Sequence, residues 1–384
     1  MLARPVALAC VLALALAGCA AGGDGARDRG ADAAADADAG AAAARAPVVG
    51  VAANTLGWGP RVGHAQDVVG RTGVRLLREE LSWYLVEPRQ GRWRWERTDR
   101  LMVAAAHRRM QLLVLLHGAP RWAGRPAGAL PTRTAAYARY VTAVVQRYGP
   151  HGSFWRRHPT LPRSSAPVWF ELWNEPFFAR PVRSTIDARR YAALAAAGLR
   201  AGRAADPGAR FLVAADTSWE GQPEVSDRWL DRLDRLAPGL LAGADGIAAH
   251  PYSDRVSVSL GEVAHLRAAL DRRGIRAPIW VTEVGWSTCS VARLGCQTER
   301  RQAAALDTFL GSVLARPRSD VAKVIVYNMH DLGSSPPDRE QHFGMLRLNG
   351  SRKPSWSVLH RHATAAHEAV RAAGRPQEAA APGR

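Results

Sequence analysis

The sequence predicts an α/β fold, a (β/α)8 TIM barrel formed by a single domain. Three observations carry this expectation. Short β-rich runs alternate eight times with Ala-, Arg- and Leu-rich helical stretches. Most of the β runs are nearly continuous in apolar residues, as strands covered by helices on a parallel sheet are. Polar and aromatic residues gather where those runs end, which is the rim at which such barrels keep their chemistry.

The strands are expected at 48–53, 74–81, 112–118, 168–174, 210–215, 246–250, 279–284 and 323–329. Helices are expected between them at 64–72, 98–109, 132–148, 187–205, 226–237, 259–273 and 298–315, with a last one at 355–372. Thr98-Asp99 and Ser226-Asp227 read as N-terminal caps, and Arg273-Gly274 as a helix stop before the seventh strand. An open doubly wound sheet is the rival. It would advertise a Gly-rich phosphate turn after its first strand, where this chain has Ala53-Asn54-Thr55-Leu56-Gly57-Trp58.

The barrel is expected over 47–373, with flanking segments of other character. Arg4 followed by the apolar stretch Val6–Ala17 and Leu16-Ala17-Gly18-Cys19 resembles a bacterial lipoprotein signal at 1–18, with lipid on Cys19. Residues 19–46 are almost only Ala, Gly, Asp and Arg and read as a disordered tether, and 374–384 as a disordered tail. The expected location is extracytoplasmic, anchored to the cell membrane through Cys19 or secreted. Of four cysteines, Cys289 and Cys296 remain for a disulfide, as an oxidising compartment favours. The formal net charge of +18 raises the possibility of a nucleic-acid partner. The arginines, however, are scattered along helices (Arg189, Arg190, Arg200, Arg203, Arg232), with no reading motif beside them. No nucleic-acid partner is expected, and a monomer is.

The chemistry is expected at two strand ends. Val168–Pro176 reads VWFELWNEP, so a buried strand gives way to Asn174-Glu175-Pro176, and Ile279–Ser287 reads IWVTEVGWS, placing Glu283 at the end of another. A carboxylate leaving a buried strand is costly unless it is paired or functional. Two carboxyl groups flanking a glycosidic bond suffice for its cleavage, one protonated and one ionised. Glu175 reads as the acid, with Asn174 beside it for a sugar hydroxyl. Pro176 is expected to favour an extended backbone at Glu175. Glu283 reads as the nucleophile, with Arg78 as its ion-pair partner; Glu80 is expected to pair with Arg78 as well.

Further substrate-binding candidates are His117, Trp122, His250, Tyr252, Trp286 and Tyr327, with Trp58, Trp83 and Trp219 also at strand ends. Tryptophans repeated beyond strand ends suit stacking on sugar rings. Asp216 and Asp331 are weaker candidates. No cofactor and no metal is expected: the histidines are scattered and HExxH is absent. A GxSxG elbow is absent too, which excludes the usual serine-hydrolase arrangement.

Trp173–Pro176, His250-Pro251-Tyr252 and Thr282–Ser287 together resemble the clan of retaining barrel glycoside hydrolases with catalytic glutamates on strands four and seven. The likeness is nearest to family 39 and family 5-like proteins. Arg78–Trp83, Val86-Glu87-Pro88 and Gly91-Arg92-Trp93 resemble the second unit of these proteins; His342–Arg347 and Lys353-Pro354-Ser355 resemble the eighth. The resemblance spans about 48–362. It implies Glu175 as acid/base, Glu283 as nucleophile, and Arg78, Asn174 and Tyr252 as supporting residues, with the carboxyl groups about 5–5.5 Å apart. The chain departs at strand eight, where many clan members carry Trp and this one has Val326-Tyr327-Asn328-Met329. The expected substrate is a poly- or oligosaccharide, cleaved internally. A catalytically silent glycan-binding barrel is the alternative, and a two-lobed solute-binding lipoprotein a more distant one.

Overall fold

The computed structural model describes residues 48–124, 130–177, 188–217, 222–315 and 321–373. The expected signal, the lipidated Cys19, the tether, the tail and Trp219 lie outside the described residues. Eight parallel strands close in sequence order into a barrel. They are β1 (Val48–Ala52), β2 (Leu76–Ser82), β3 (Gln111–His117), β4 (Trp169–Leu172), β5 (Arg210–Ala214), β6 (Gly246–Ala249), β7 (Ile279–Val284) and β8 (Val321–Tyr327). The helices that cover them are α1 (Val62–Gly70), α2 (Glu96–His107), α3 (Thr134–Tyr148), α4 (Ala188–Ala205), α5 (Glu224–Leu236), α6 (Val256–Arg272), α7 (Glu299–Leu314) and α8 (Pro354–Ala373). Among the described residues, no helix is long and apolar enough to cross a membrane.

Two of the expected helix caps are corrected. α2 starts at Glu96, so Thr98 lies inside its first turn and its hydroxyl bonds the Trp95 carbonyl and Tyr148. α5 starts at Glu224, which leaves Ser226 buried within the helix. In both cases the helix gains an earlier turn that brings an acidic residue, Glu96 or Glu224, to its N-terminus, where the helix dipole favours it. The stop at Gly274 stands, with φ of 68°.

Two apolar layers surround the strands. Outward side chains pack under the helices, and the barrel's lower interior holds Leu76, Leu113, Leu212, Ala248, Trp280 and Ile325. Trp169 and Trp280 meet there at a centroid distance of 4.4 Å. Moving up β2 and β4 by two residues, the inward positions change character: Leu76 is followed by Arg78, and Trp169 by Glu171. The barrel is therefore plugged with hydrocarbon below and charge above.

The Cys289–Cys296 disulfide forms in the loop after β7, as expected. The motifs of the eighth unit tie that loop down. Lys353, nearly fully buried, donates to Asp331 (2.7 Å) and to the Thr288 hydroxyl (2.9 Å). Ser355 donates to Gln302 at 2.7 Å. Asp331 is thus a structural anion. Several surface arginines pair with local acids, among them Arg108 with Asp67 and Arg347 with Glu299.

Candidate active site

β4 and β7 deliver their carboxylates by different backbone devices. After β4, Trp173 and Glu175 both take left-handed conformations, with φ of 78° and 39°. The extended backbone expected at Glu175 is therefore corrected. Two such residues within three positions fold the chain over the rim, a strain of about 1–3 kcal/mol each that the surrounding contacts must offset. Those contacts are Trp173 packed against His117 and Tyr137 (4.7 and 5.7 Å between centroids) and Asn174 bonded to Arg78.

On β7 the device is a bulge. Val281 pairs with Val324 but Val284 with Val326, so β7 spends one extra residue. Thr282 and Glu283 consequently both reach the inner rim, where strict alternation would send one of them outward. Gly285 follows because the chain then passes against β8: a Cβ there would stand 2.0 Å from the Tyr327 carbonyl oxygen.

Arg78 ties the two ends together from β2. Its Nε and Nη2 donate to Glu171 (2.7 and 3.1 Å), its Nη1 to Glu283 Oε1 (2.5 Å), and its Nη2 also to Asn174 Oδ1 (2.8 Å). Arg78 and Glu171 are almost fully buried. Burial works against the guanidinium charge, but Glu171 and Glu283 outweigh it and hold the Arg78 pKa above its usual value. Because Arg78 only donates, Asn174 must turn its oxygen inward, which directs its amide donors elsewhere. The Arg78–Glu283 pair was expected. Glu171 was not, although a lone Glu in an otherwise apolar strand signals it. The expected Glu80–Arg78 pair is corrected: Glu80 instead accepts from Ser82 (2.8 Å) and contacts His117 Nδ1 (3.3 Å). Burial pushes the Glu80 pKa up, and the bonds from His117 and Ser82 bring it below its ordinary value.

Glu283 Oε2 accepts from the Tyr252 hydroxyl at 2.8 Å. Burial and the neighbouring Glu283 keep that phenol far above its ordinary pKa, so it is a donor. Tyr252 belongs to a cluster with Tyr327 and Phe343, centroids 5.5–6.3 Å apart. Phe343 was not anticipated as part of this group. His250 stands between the two catalytic candidates, with Nδ1 3.1 Å from Glu175 and 3.8 Å from Glu283. Burial lowers its pKa, but the two carboxylates more than offset this and raise it overall.

One ligand-type atom each from Glu175, His250 and Glu283 lies within 4.8 Å of the others. Three such groups could converge on a cation. Here Glu283 accepts from Arg78 and Tyr252, and His250 Nδ1 contacts Glu175, so the set is organised around hydrogen bonds.

The tryptophans are placed less uniformly than expected. Trp83 and Trp286 are buried and do not line a cleft; this corrects Trp286 as a stacking residue. Trp286 packs on Phe309 of α7 (6.0 Å), and Trp83 stacks on Tyr140 (5.1 Å) and donates to the buried Glu87 (2.7 Å). Trp122 is half-buried, edge-on to Trp83, and donates to the Glu87 carbonyl (3.0 Å). Trp58 sits between His64 and His330 and lines a separate cavity of about 190 Å³ with Trp356. Asp216 is buried at the end of β5.

The chain is similar in structure to a family 39 glycoside hydrolase from the gut symbiont Bacteroides cellulosilyticus, with TM-score 0.62 and 20% identity over 84% of this chain and 64% of that one. It is similar also to a GH5_18 protein from Bifidobacterium longum subsp. infantis (0.62, 18%, 83% and 79%) and to a monomeric β-xylosidase from Caulobacter crescentus (0.57, 19%, 82% and 66%). The likeness is one of fold, a closed (β/α)8 barrel. This chain spans just under two thirds of the length of the first and third of these proteins. No protein-family model and no curated protein sequence matches it.

Proposed function

We propose that this protein is a retaining glycoside hydrolase in which Glu283 is the nucleophile and Glu175 the general acid/base. The observation that carries the reading is the carboxylate pair itself: oxygens of Glu175 and Glu283, from different strand ends, lie within 4.8 Å of each other. That spacing suits the double displacement of retaining enzymes and is shorter than the roughly 6.5–9.5 Å separation of inverting ones. Glu283, with Arg78 and Tyr252 on its two oxygens, attacks the anomeric carbon. Glu175, against His250, gives its proton to the leaving oxygen and then takes one from the attacking water. Asn174 offers its amide donors to a sugar hydroxyl beside the reacting carbon. Tyr252, Tyr327, Trp122 and His117, all part-exposed, form the surroundings for sugar rings. We read the substrate as a polysaccharide cleaved internally, by an enzyme held outside the membrane by lipid on Cys19.

The test is a polysaccharide panel offered to the soluble domain, residues 46–384, with products sized by chromatography. At least one glycan is expected to be shortened into oligosaccharides, and E175Q and E283Q are expected to lose this activity while still binding it. Equal activity in both variants would overturn the assignment, and monosaccharide products alone would overturn internal cleavage.

A further inference from the structure

The pairing of His250 with Glu175 has an origin one layer deeper in the barrel. Glu171 accepts two hydrogen bonds from Arg78, so it is a bonded carboxylate with only lone pairs to offer. The Thr282 hydroxyl lies 3.1 Å from Glu171 Oε1 and donates its single proton there. The same Thr282 oxygen lies 3.0 Å from His250 Nε2. With its proton committed, Thr282 accepts on that side, so Nε2 must carry the hydrogen. A neutral imidazole has one N–H. Nδ1 therefore turns a lone pair toward Glu175 Oε1, 3.1 Å away. That contact is a hydrogen bond only while the pair holds a further proton. The proton sits either on Glu175 as a carboxylic acid or on His250 as an imidazolium.

We propose that Glu171 and Thr282 are positioning residues that fix the tautomer of His250 and thereby keep one proton on the His250–Glu175 pair. The consequence for catalysis rests on the glycosidase reading given above: Glu175 must begin the reaction protonated, and the relay makes deprotonation of the pair unfavourable. Losing that proton would set the Nδ1 lone pair against a carboxylate at 3.1 Å, with Glu283 adding repulsion from 3.8 Å. The other groups facing the ring are Glu171, 3.9 Å from Nε2, the Tyr252 ring at 6.3 Å, and Arg78, whose charge is met by Glu171 and Glu283. Glu171, Thr282 and His250 are buried, so water does not compete for the Thr282 hydroxyl.

The near-isosteric Thr282→Val substitution removes the hydroxyl. Neutral His250 is then free to carry its hydrogen on Nδ1 and donate to ionised Glu175, and the pair releases its proton more readily. Thr282→Ser keeps the hydroxyl. The soluble domain labelled with 15N-histidine, with His250 assigned from the spectrum of His250→Gln, reads the tautomer directly. The expected results are an Nε2–H tautomer at alkaline pH in the wild type and in Thr282→Ser, and an Nδ1–H tautomer in Thr282→Val. The proton of the pair is expected to titrate about one pH unit lower in Thr282→Val, the scale of one hydrogen bond. The basic limb of kcat/KM should move down by the same amount. An Nδ1–H tautomer in the wild type, or a Thr282→Val titration identical to wild type, overturns the relay. If Thr282→Val fails to fold, the wild-type tautomer and the Thr282→Ser titration still decide it. The stated tautomer and shift in a protein that cleaves no glycan would support the relay and count only against Glu175 as a glycosidic acid.

Discussion

The ends of β4 and β7 carry the same side chain and treat it differently. Glu283 leaves a strand through a bulge and has each oxygen bonded, one by a guanidinium and one by a phenol. Glu175 leaves through two left-handed residues and faces an imidazole that itself holds or lacks a proton. The first environment sets two donors on the carboxylate; the second sets an imidazole against it. The proposed acid–base chemistry with two identical carboxyl groups would require such a divergence, and the difference in surroundings here comes from residues outside the pair.

The comparison breaks most completely at Glu283. Glu283→Gln keeps the shape but removes the proposed nucleophile, so turnover should fall to background on every substrate, activated or not. Glu175→Gln should cost about 10²–10⁴-fold in kcat on glycosides with poor leaving groups. It should cost far less in the first step on an activated aryl glycoside, which needs no acid; an equal loss on both kinds of substrate would contradict the assigned role. Arg78→Leu strips the partner from Glu171 and Glu283 together. Denaturant unfolding should show a loss of about 3–5 kcal/mol, the cost of leaving a buried charge unpaired.

Smaller changes sharpen the contrast. Tyr252→Phe removes one of the two donors on Glu283, and kcat/KM is expected to drop about 10–100-fold, matching a hydrogen bond to a charged group. His250 predicts a pH effect on stability. Its folded pKa is raised, so its stabilising contribution is complete below the unfolded value of about 6.5 and is lost as pH rises through the folded value. The stability difference between wild type and His250→Gln should therefore be largest on the acid side and shrink toward alkaline pH.

The barrel was legible in the sequence because β runs buried on both faces alternate with amphipathic helices, and strand order then follows from right-handed crossovers. Arg78, Asn174, Glu175, His250, Tyr252 and Glu283 were legible as polar residues at strand ends, and the structure brings them into one network. The support beneath them was harder to read. Glu171 and Thr282 lie within apolar strands, and their importance depends on which neighbours the barrel closure brings to the same layer. The bulge that admits Thr282 and Glu283 together breaks the alternation on which side-chain direction is inferred. Trp83 and Trp286 show the same limit from the other side: a tryptophan beyond a strand end can turn under a flanking helix as readily as into a cleft, and only tertiary packing decides.

The claim that the two glutamates have unlike roles is tested most directly by trapping the intermediate. Once the panel has identified the sugar, an activated 2-deoxy-2-fluoro glycoside of that sugar can be incubated with the protein and the adduct mapped by peptide mass spectrometry. One label on Glu283, absent in Glu283→Gln, is the result this account predicts. A label on Glu175, or turnover of the natural substrate with an inverted first-formed anomer and no adduct, would contradict it.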